Sequence, residues 1–217
     1  MSTAVFANTG VQVTSEGRPY LGAATGINEF VISHVQDKVT NWTKELDNLA
    51  TIALIQPHAA HAAFTHCLSS KWSYLTRTIR GISTLLQPLE TVKITPALTG
   101  QPPPNDELRN LLALPARLGG IALTNPTSHA DVEFSTSTKI SDPAILQQSL
   151  EYSGDVGHDQ VEAKGKVCKM KRELYKQAAD SLKQSLPVSL QCSMDLAQVK
   201  GASTWLTSLP IQEFYEQ

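Results

Sequence analysis

Apolar residues recur along most of this chain at steps of three and four, the spacing that lines one face of a helix. The clearest run follows Asn28, a good helix cap, and carries Val31, Val35, Val39, Trp42, Leu46, Leu49 and Ala53 on one stripe before Pro57. Pro57 is suited to open the next helix. There, Ala60, Phe64, Leu68, Trp72, Leu75 and Ile79 form a second stripe, flanked by Cys67 and Tyr74. Its opposite side collects His66, Ser70, Ser73, Arg77 and Arg80, with Lys71 at the edge of the apolar stripe. These groups suit a phosphate backbone, and they suit water equally. Two helices joined so briefly should pack as a pair, with Trp42 and Trp72 as large core elements.

The pattern changes at both ends of this pair. Before it, Val5 and Phe6, the alternation Val11 to Thr14 and the segment Tyr20-Leu21-Gly22 are separated by turns at Asn8-Thr9-Gly10 and Glu16-Gly17, which predicts a small β-hairpin or meander. After it come Gly81, a short helix from Ile82 to Val92 interrupted near Pro88, and a rigid connection through Pro96, Gly100 and Pro102 to Pro104. Asn105 caps a further short helix that Gly119-Gly120 closes. An element beginning at Asn125-Pro126 fades into the weak helix formers Ser135 to Thr138, and Asp142-Pro143 opens another short helix. From about Asp159 to Gln184 a long helix sets Val167, Met170, Leu174, Ala178 and Leu182 against Lys169, Arg172, Lys176 and Lys183. Glu173 and Asp180 dilute that basic side, which reads as a solvated face. Pro187 stops the helix, and a shorter one runs from Ser189 to Lys200.

The fold class expected is therefore mainly α, an N-terminal β-hairpin followed by a multi-helix bundle. Residues 1–100 form a hairpin and long-helix region, and residues 101–217 a helical connecting region. The 217 residues suffice for one sizeable core or two small ones, and a net charge of −2 gives no strong long-range field, so any basic surface must be local. Three cysteines, Cys67, Cys168 and Cys192, are too few and too scattered for a disulfide framework and fit a reducing compartment. The N-terminus lacks the features of a signal peptide, and no segment has the ~20 apolar residues of a membrane span. An intracellular location, cytoplasmic or nuclear, without membrane association is the expectation.

Complete catalytic motifs are not found. His58, His61, His66 and Cys67 have zinc-ligand chemistry but not the spacing, since only His58 and His61 share a helical face. No phosphate loop, nucleophile elbow or paired aspartate is visible, so neither a metal nor another cofactor is expected.

Several stretches taken together resemble the region downstream of the catalytic palm in reverse transcriptases of eukaryotic retroelements. They are GVQVTSEGRPYLGAATG from Gly10, QPHAAHAAFTHCLSSKWSYLTRTI from Gln56, LQPLE from Leu86, ITPALTG from Ile94, LLALPARLGG from Leu111 with TNP from Thr124, and KGASTWLTSLPIQE from Lys200. The resemblance implies that Tyr20, Leu21 and Gly22 correspond to the hairpin that supports a primer terminus. It implies that residues 28–80 correspond to a thumb lying along a template–primer duplex, with Lys71, Ser73, Arg77 and Arg80 against phosphates. The palm with its aspartates has no counterpart here, and the string GGLGI of the family reads GGIAL. What is implied is a truncated, non-catalytic reverse transcriptase-like fragment that binds the backbone of an RNA–DNA or DNA duplex. An alternative is an interaction module whose hairpin and Leu111 to Leu123 surface dock on a separate palm-containing protein.

Overall fold

The computed structural model describes residues 14–90, 94–101, 104–146 and 155–204. It is mainly helical, with a two-stranded antiparallel hairpin ahead of a helical bundle, as the spacing predicts. The part of the expected meander before residue 14 lies outside the described residues.

The hairpin pairs β1 (Gly17–Tyr20) with β2 (Ala23–Gly26), Tyr20 facing Ala23. Tyr20-Leu21-Gly22 is therefore not the start of a strand after a turn at Glu16-Gly17; Leu21 and Gly22 are themselves the turn. Both have positive φ, 49° and 88°, which defines the type I′ turn that matches the twist of two flanking strands. Gly17 is a strand residue for a packing reason: a Cβ there would overlap the ring of Phe30.

α1 (Asn28–Ala53) buries Val35, Val39, Trp42, Leu46, Leu49 and Ala53, six of the seven stripe positions, with Val31 partly buried. Asn28 lies inside the helix and Ile27 takes the cap position, with no side-chain cap bond. The second long helix is α2 (Pro57–Ala63), a π-helical segment Phe64–Leu68, and α3 (Ser69–Thr78). The π segment has a geometric cause. Three steps of four from Ala60 to Trp72 cover about three and a third α turns, and widening one turn absorbs the surplus. Ser69 N–H accordingly donates to Phe64 O, five residues back.

α1 and the α2–α3 run meet through aromatic rings, Trp42 against Trp72 and Phe64 against Trp72. Around them lie Leu68, Leu75, Ile79, Ile82, Leu86, Leu89 and Ile94, with Leu123 and Ala130 from the second half of the chain. The larger core thus crosses the proline-rich connection. Ser83–Leu89 is a 3₁₀ helix containing Pro88. Residues around Pro96 form a helix, α4 (Ile94–Thr99), rather than an extended connection, because Ile94 and Thr95 are buried in that core.

α5 (Asp106–Ala113) has the expected cap, Leu108 N–H donating to Asn105 Oδ1 at 2.9 Å. It ends earlier than the string to Gly119 suggested, since Pro115 separates it from a 3₁₀ turn at Ala116–Leu118. α6 (Pro126–Leu146) is one helix where two were expected. Ser135, Thr136 and Thr138 return their hydroxyls to helix carbonyls three or four residues back, so they do not compete for the backbone. Pro143 is accommodated near the end of the helix instead of opening a new one.

α7 (Val156–Ser185) is capped by Asp155, whose Oδ1 accepts from Gly157 and His158 N–H. Its inner side is rotated from the expected one. Val167, Lys171, Tyr175 and Ala179 turn inward, while Leu174 is 46% exposed and Ala178 is exposed. α8 (Val188–Ala197) closes a second, smaller core in which Met194 meets Leu111, Leu114, Ala179 and Leu186. Among the described residues no helix is long and apolar enough to cross a membrane.

Candidate nucleic-acid interface

α3 presents Ser70, Lys71, Tyr74, Arg77 and Thr78 to solvent because its other face is fixed by Trp72, Leu75 and Ile79 in the core. Lys71, Tyr74 and Arg77 follow one another at intervals of three along this exposed edge. The Lys71 ammonium reaches back to α1, where Nζ donates to Glu45 Oε2 at 2.5 Å. Both side chains are nearly half exposed, so the pair is worth at most about 1 kcal/mol and yields readily to another anion.

Arg77 is held more firmly. Its Nε donates to Glu133 Oε2 at 3.0 Å, while Lys171 Nζ donates to Oε1 of the same carboxylate at 2.6 Å. One residue of α6 thus ties α3 to α7. Burial by itself would raise the pKa of Glu133, but the hydrogen bonds from Lys171 and Arg77 and their charges outweigh it and hold the carboxyl below its usual range. Two cations share one anion, leaving a local charge of about +1 beside α3. The Arg77 side chain stays 55% exposed.

Arg80 follows the extended Ile79 and is exposed, with no hydrogen bond or ion pair to another described residue. Ser73 is the residue the structure withdraws from the outward set: it is only partly exposed, and its hydroxyl donates to Ser69 O at 2.9 Å. His66 is exposed on the same helix run, and Cys67, Cys168 and Cys192 are exposed free thiols.

The hairpin tip joins this edge. Tyr20 and Leu21 are 66% and 76% exposed, and a Cβ built on Gly22 would stand 3.5 Å from Tyr74 Cε1. His34 of α1 secures the turn from the other side, its Nε2–H donating to Gly22 O at 3.4 Å. Leu21 occupies the left-handed region that a branched side chain ordinarily avoids, at a cost of roughly 1–2 kcal/mol. The turn therefore holds an apolar side chain outward in a strained conformation, next to the polar edge of α3.

Two polar clusters lie elsewhere. Glu90 takes both the guanidinium of Arg109 and the hydroxyl of Thr127, the latter at 2.6 Å, and so ties the 3₁₀ helix to α5 and α6. His129 of α6 stacks on Tyr175 of α7 with ring centroids 5.9 Å apart. Burial, followed by the charge of Glu133, raises the Tyr175 hydroxyl above its usual range.

For a metal, the structure brings together ligand atoms of His158, Asp159 and Glu162 within 4.8 Å of one another, the one such group among the described residues. It sits in the first two turns of α7, where the helix dipole opposes a cation, and Glu162 already takes Lys166 Nζ at 2.7 Å. His58, His61, His66 and Cys67 do not converge; His61 turns into the protein and Cys67 outward.

The partners of Arg77, Lys71 and Lys171 were not foreseeable from periodicity, because Glu133 and Glu45 lie on other helices. The one available signal was an acidic residue flanked by Val132 and Phe134, two positions after Asp131, in a stretch otherwise poor in charge. Comparison with protein families, with curated proteins and with solved structures finds no match to this chain.

Proposed function

We propose that this chain is a non-catalytic nucleic-acid-binding module, similar to the thumb and connecting region of a retroelement reverse transcriptase, that lies along the phosphate backbone of an RNA–DNA or DNA duplex. The observation that carries this reading is the junction at Tyr74. It places the exposed hairpin tip, Tyr20 and Leu21, in continuity with Lys71 and Arg77 on the outer edge of α3, with Arg80 beyond. An aromatic and apolar tip beside a row of cations suits a duplex end and the strand leading away from it.

Binding of this kind is weak and salt-sensitive, since few phosphates are neutralised and two of the three cations begin in ion pairs. Fluorescence anisotropy of a labelled RNA–DNA hybrid at low ionic strength tests it. Affinity should fall log-linearly with salt, and absence of binding at low salt overturns the reading.

A second reading, docking on a separate palm-containing protein, draws support from the same exposed tip and from Leu54 and Ile55, which are 73% and 82% exposed where α1 meets α2. The Leu111 to Leu123 part of that docking surface is not available, because Leu111, Leu114 and Leu123 are buried within the chain itself. Concentration-dependent self-association in size-exclusion chromatography would favour this reading over the first.

A further inference from the structure

His61 is the most enclosed ionisable side chain of the opening half of the bundle, 6% exposed, on a helix otherwise faced with alanine. Its Nε2 lies 2.6 Å from the carbonyl oxygen of Ile121, sixty residues away. A carbonyl only accepts, so Nε2 carries the proton and the neutral ring keeps a lone pair on Nδ1. That Nδ1 is shut away from solvent with no hydrogen-bond partner. A second proton on the ring would therefore create a buried cation whose new N–H has nothing to donate to.

Ile121 belongs to the segment that links the two cores. Ile121 and Leu123 N–H both donate to Leu112 O, and Ala122 N–H donates to Leu114 O, so the segment folds back on the end of α5. Ala122 has a φ of 57°, a conformation held only while its neighbours are fixed. His61 is the side chain of α2 that grips this strained segment. Beside the grip lies an apolar cavity of about 340 Å³, lined by Pro57, His58, His61, Leu98, Leu112 and Ile121 together with Thr99, whose hydroxyl is already bonded to Thr95 O.

We propose that the His61–Ile121 contact is an acid-sensitive latch: protonation of His61 at Nδ1 releases the Gly119 to Thr124 segment from α2 and opens the adjoining apolar cavity to solvent.

The surroundings favour a single-proton event. α4 and the 119–124 segment contribute no ionisable side chain, and α1 contributes the buried Leu49 and Ala53 to the same core. Of the ionisable groups of α5, Arg109 is held by Glu90, and Asp106 and Glu107 stand in its exposed first turn. His58 and His66, on the same helix run, are the charges that act on His61, and both oppose its protonation. Burial is the larger cause and moves the ring in the same direction, below the ordinary histidine range, with the Ile121 bond opposing in part. The latched state is therefore favoured above the ordinary histidine range and lost as pH falls through the lowered value.

Hydrogen exchange of the Ile121 and Leu123 amides in the full chain, corrected for the intrinsic pH dependence of exchange, is the test. Protection should fall by up to about tenfold per pH unit below about pH 6.5, the slope of one proton, with a matching rise in binding of an apolar dye. His61→Gln keeps an N–H for Ile121 O and cannot titrate, so its protection should be flat over the same range. Protection independent of pH in the native chain, or the same dependence in His61→Gln, overturns the latch. Nitrogen chemical shifts of the native ring provide a readout that needs no variant. A proton on Nδ1 at neutral pH, or titration at the ordinary histidine value without release of the segment, also overturns it.

Discussion

Trp42 and Trp72 meet edge to face, with ring centroids 6.4 Å apart and planes inclined by 61°, and this contact sets the relation between the two long helices. Trp72 also touches Phe64 at 5.8 Å, so it is shared by both halves of the π-interrupted run. Trp72→Ala should destabilise the fold by about 3–5 kcal/mol, read from the urea midpoint, whereas Tyr74→Ala on the exposed edge should cost under about 1 kcal/mol.

Glu133 is one carboxylate serving two cations. Its folded-state pKa is lowered, so its contribution is fully present above the unfolded value and is lost as pH falls through the folded one. Glu133→Gln should cost about 2 kcal/mol at pH 7 and much less at pH 3, measured by chemical unfolding at both. If the proposed function holds, the same variant binds the hybrid more tightly, because Arg77 and Lys171 lose their internal anion. Unchanged or weaker affinity would count against Arg77 as a phosphate contact.

Leu21 sits at a left-handed turn position that glycine adopts freely. Leu21→Gly should therefore raise stability by up to about 1 kcal/mol in thermal unfolding. A tip that works by presenting an apolar side chain should lose nucleic-acid affinity in that same variant, so stability and binding move in opposite directions.

Arg80 has no tie to another described residue, so Arg80→Ala should leave the melting temperature within about 1 °C of the native value. On duplex DNA it should reduce the slope of log affinity against log salt by about 0.9. An unchanged slope would remove Arg80 from the interface.

The sequence was most legible where one face of a helix does one thing. α1 is such a helix, and its stripe appears in the core almost residue for residue. Legibility failed where polar groups face inward. Periodicity placed Leu174 and Ala178 inside α7, yet Lys171 and Tyr175 take those places because Glu133 and His129 await them on α6. The Ser/Thr-rich centre of α6 looked like a break because propensity counts hydroxyls as competitors, while here they bond the preceding turn. At the candidate interface the cations could be named from their spacing. Their pairing could not, since Glu45 and Glu133 are 26 and 56 residues away.

The π-helical segment Phe64–Leu68 carries a further consequence: it is a phase shifter between two functions of one rod. Upstream, α2 aims His61 at Ile121; downstream, α3 aims Arg77 at Glu133. Deleting one residue within 64–68 would let that turn close to α geometry with the flanking stripes still in phase, whereas keeping all twelve steps from Ala60 to Trp72 in α geometry would swing one end relative to the other by about 120°. Whichever end stayed seated, the other would point its key side chain away from its partner. The widened turn therefore coordinates the angular setting of the two contacts, and the chain has in effect a one-turn gearing between its interior latch and its outer edge.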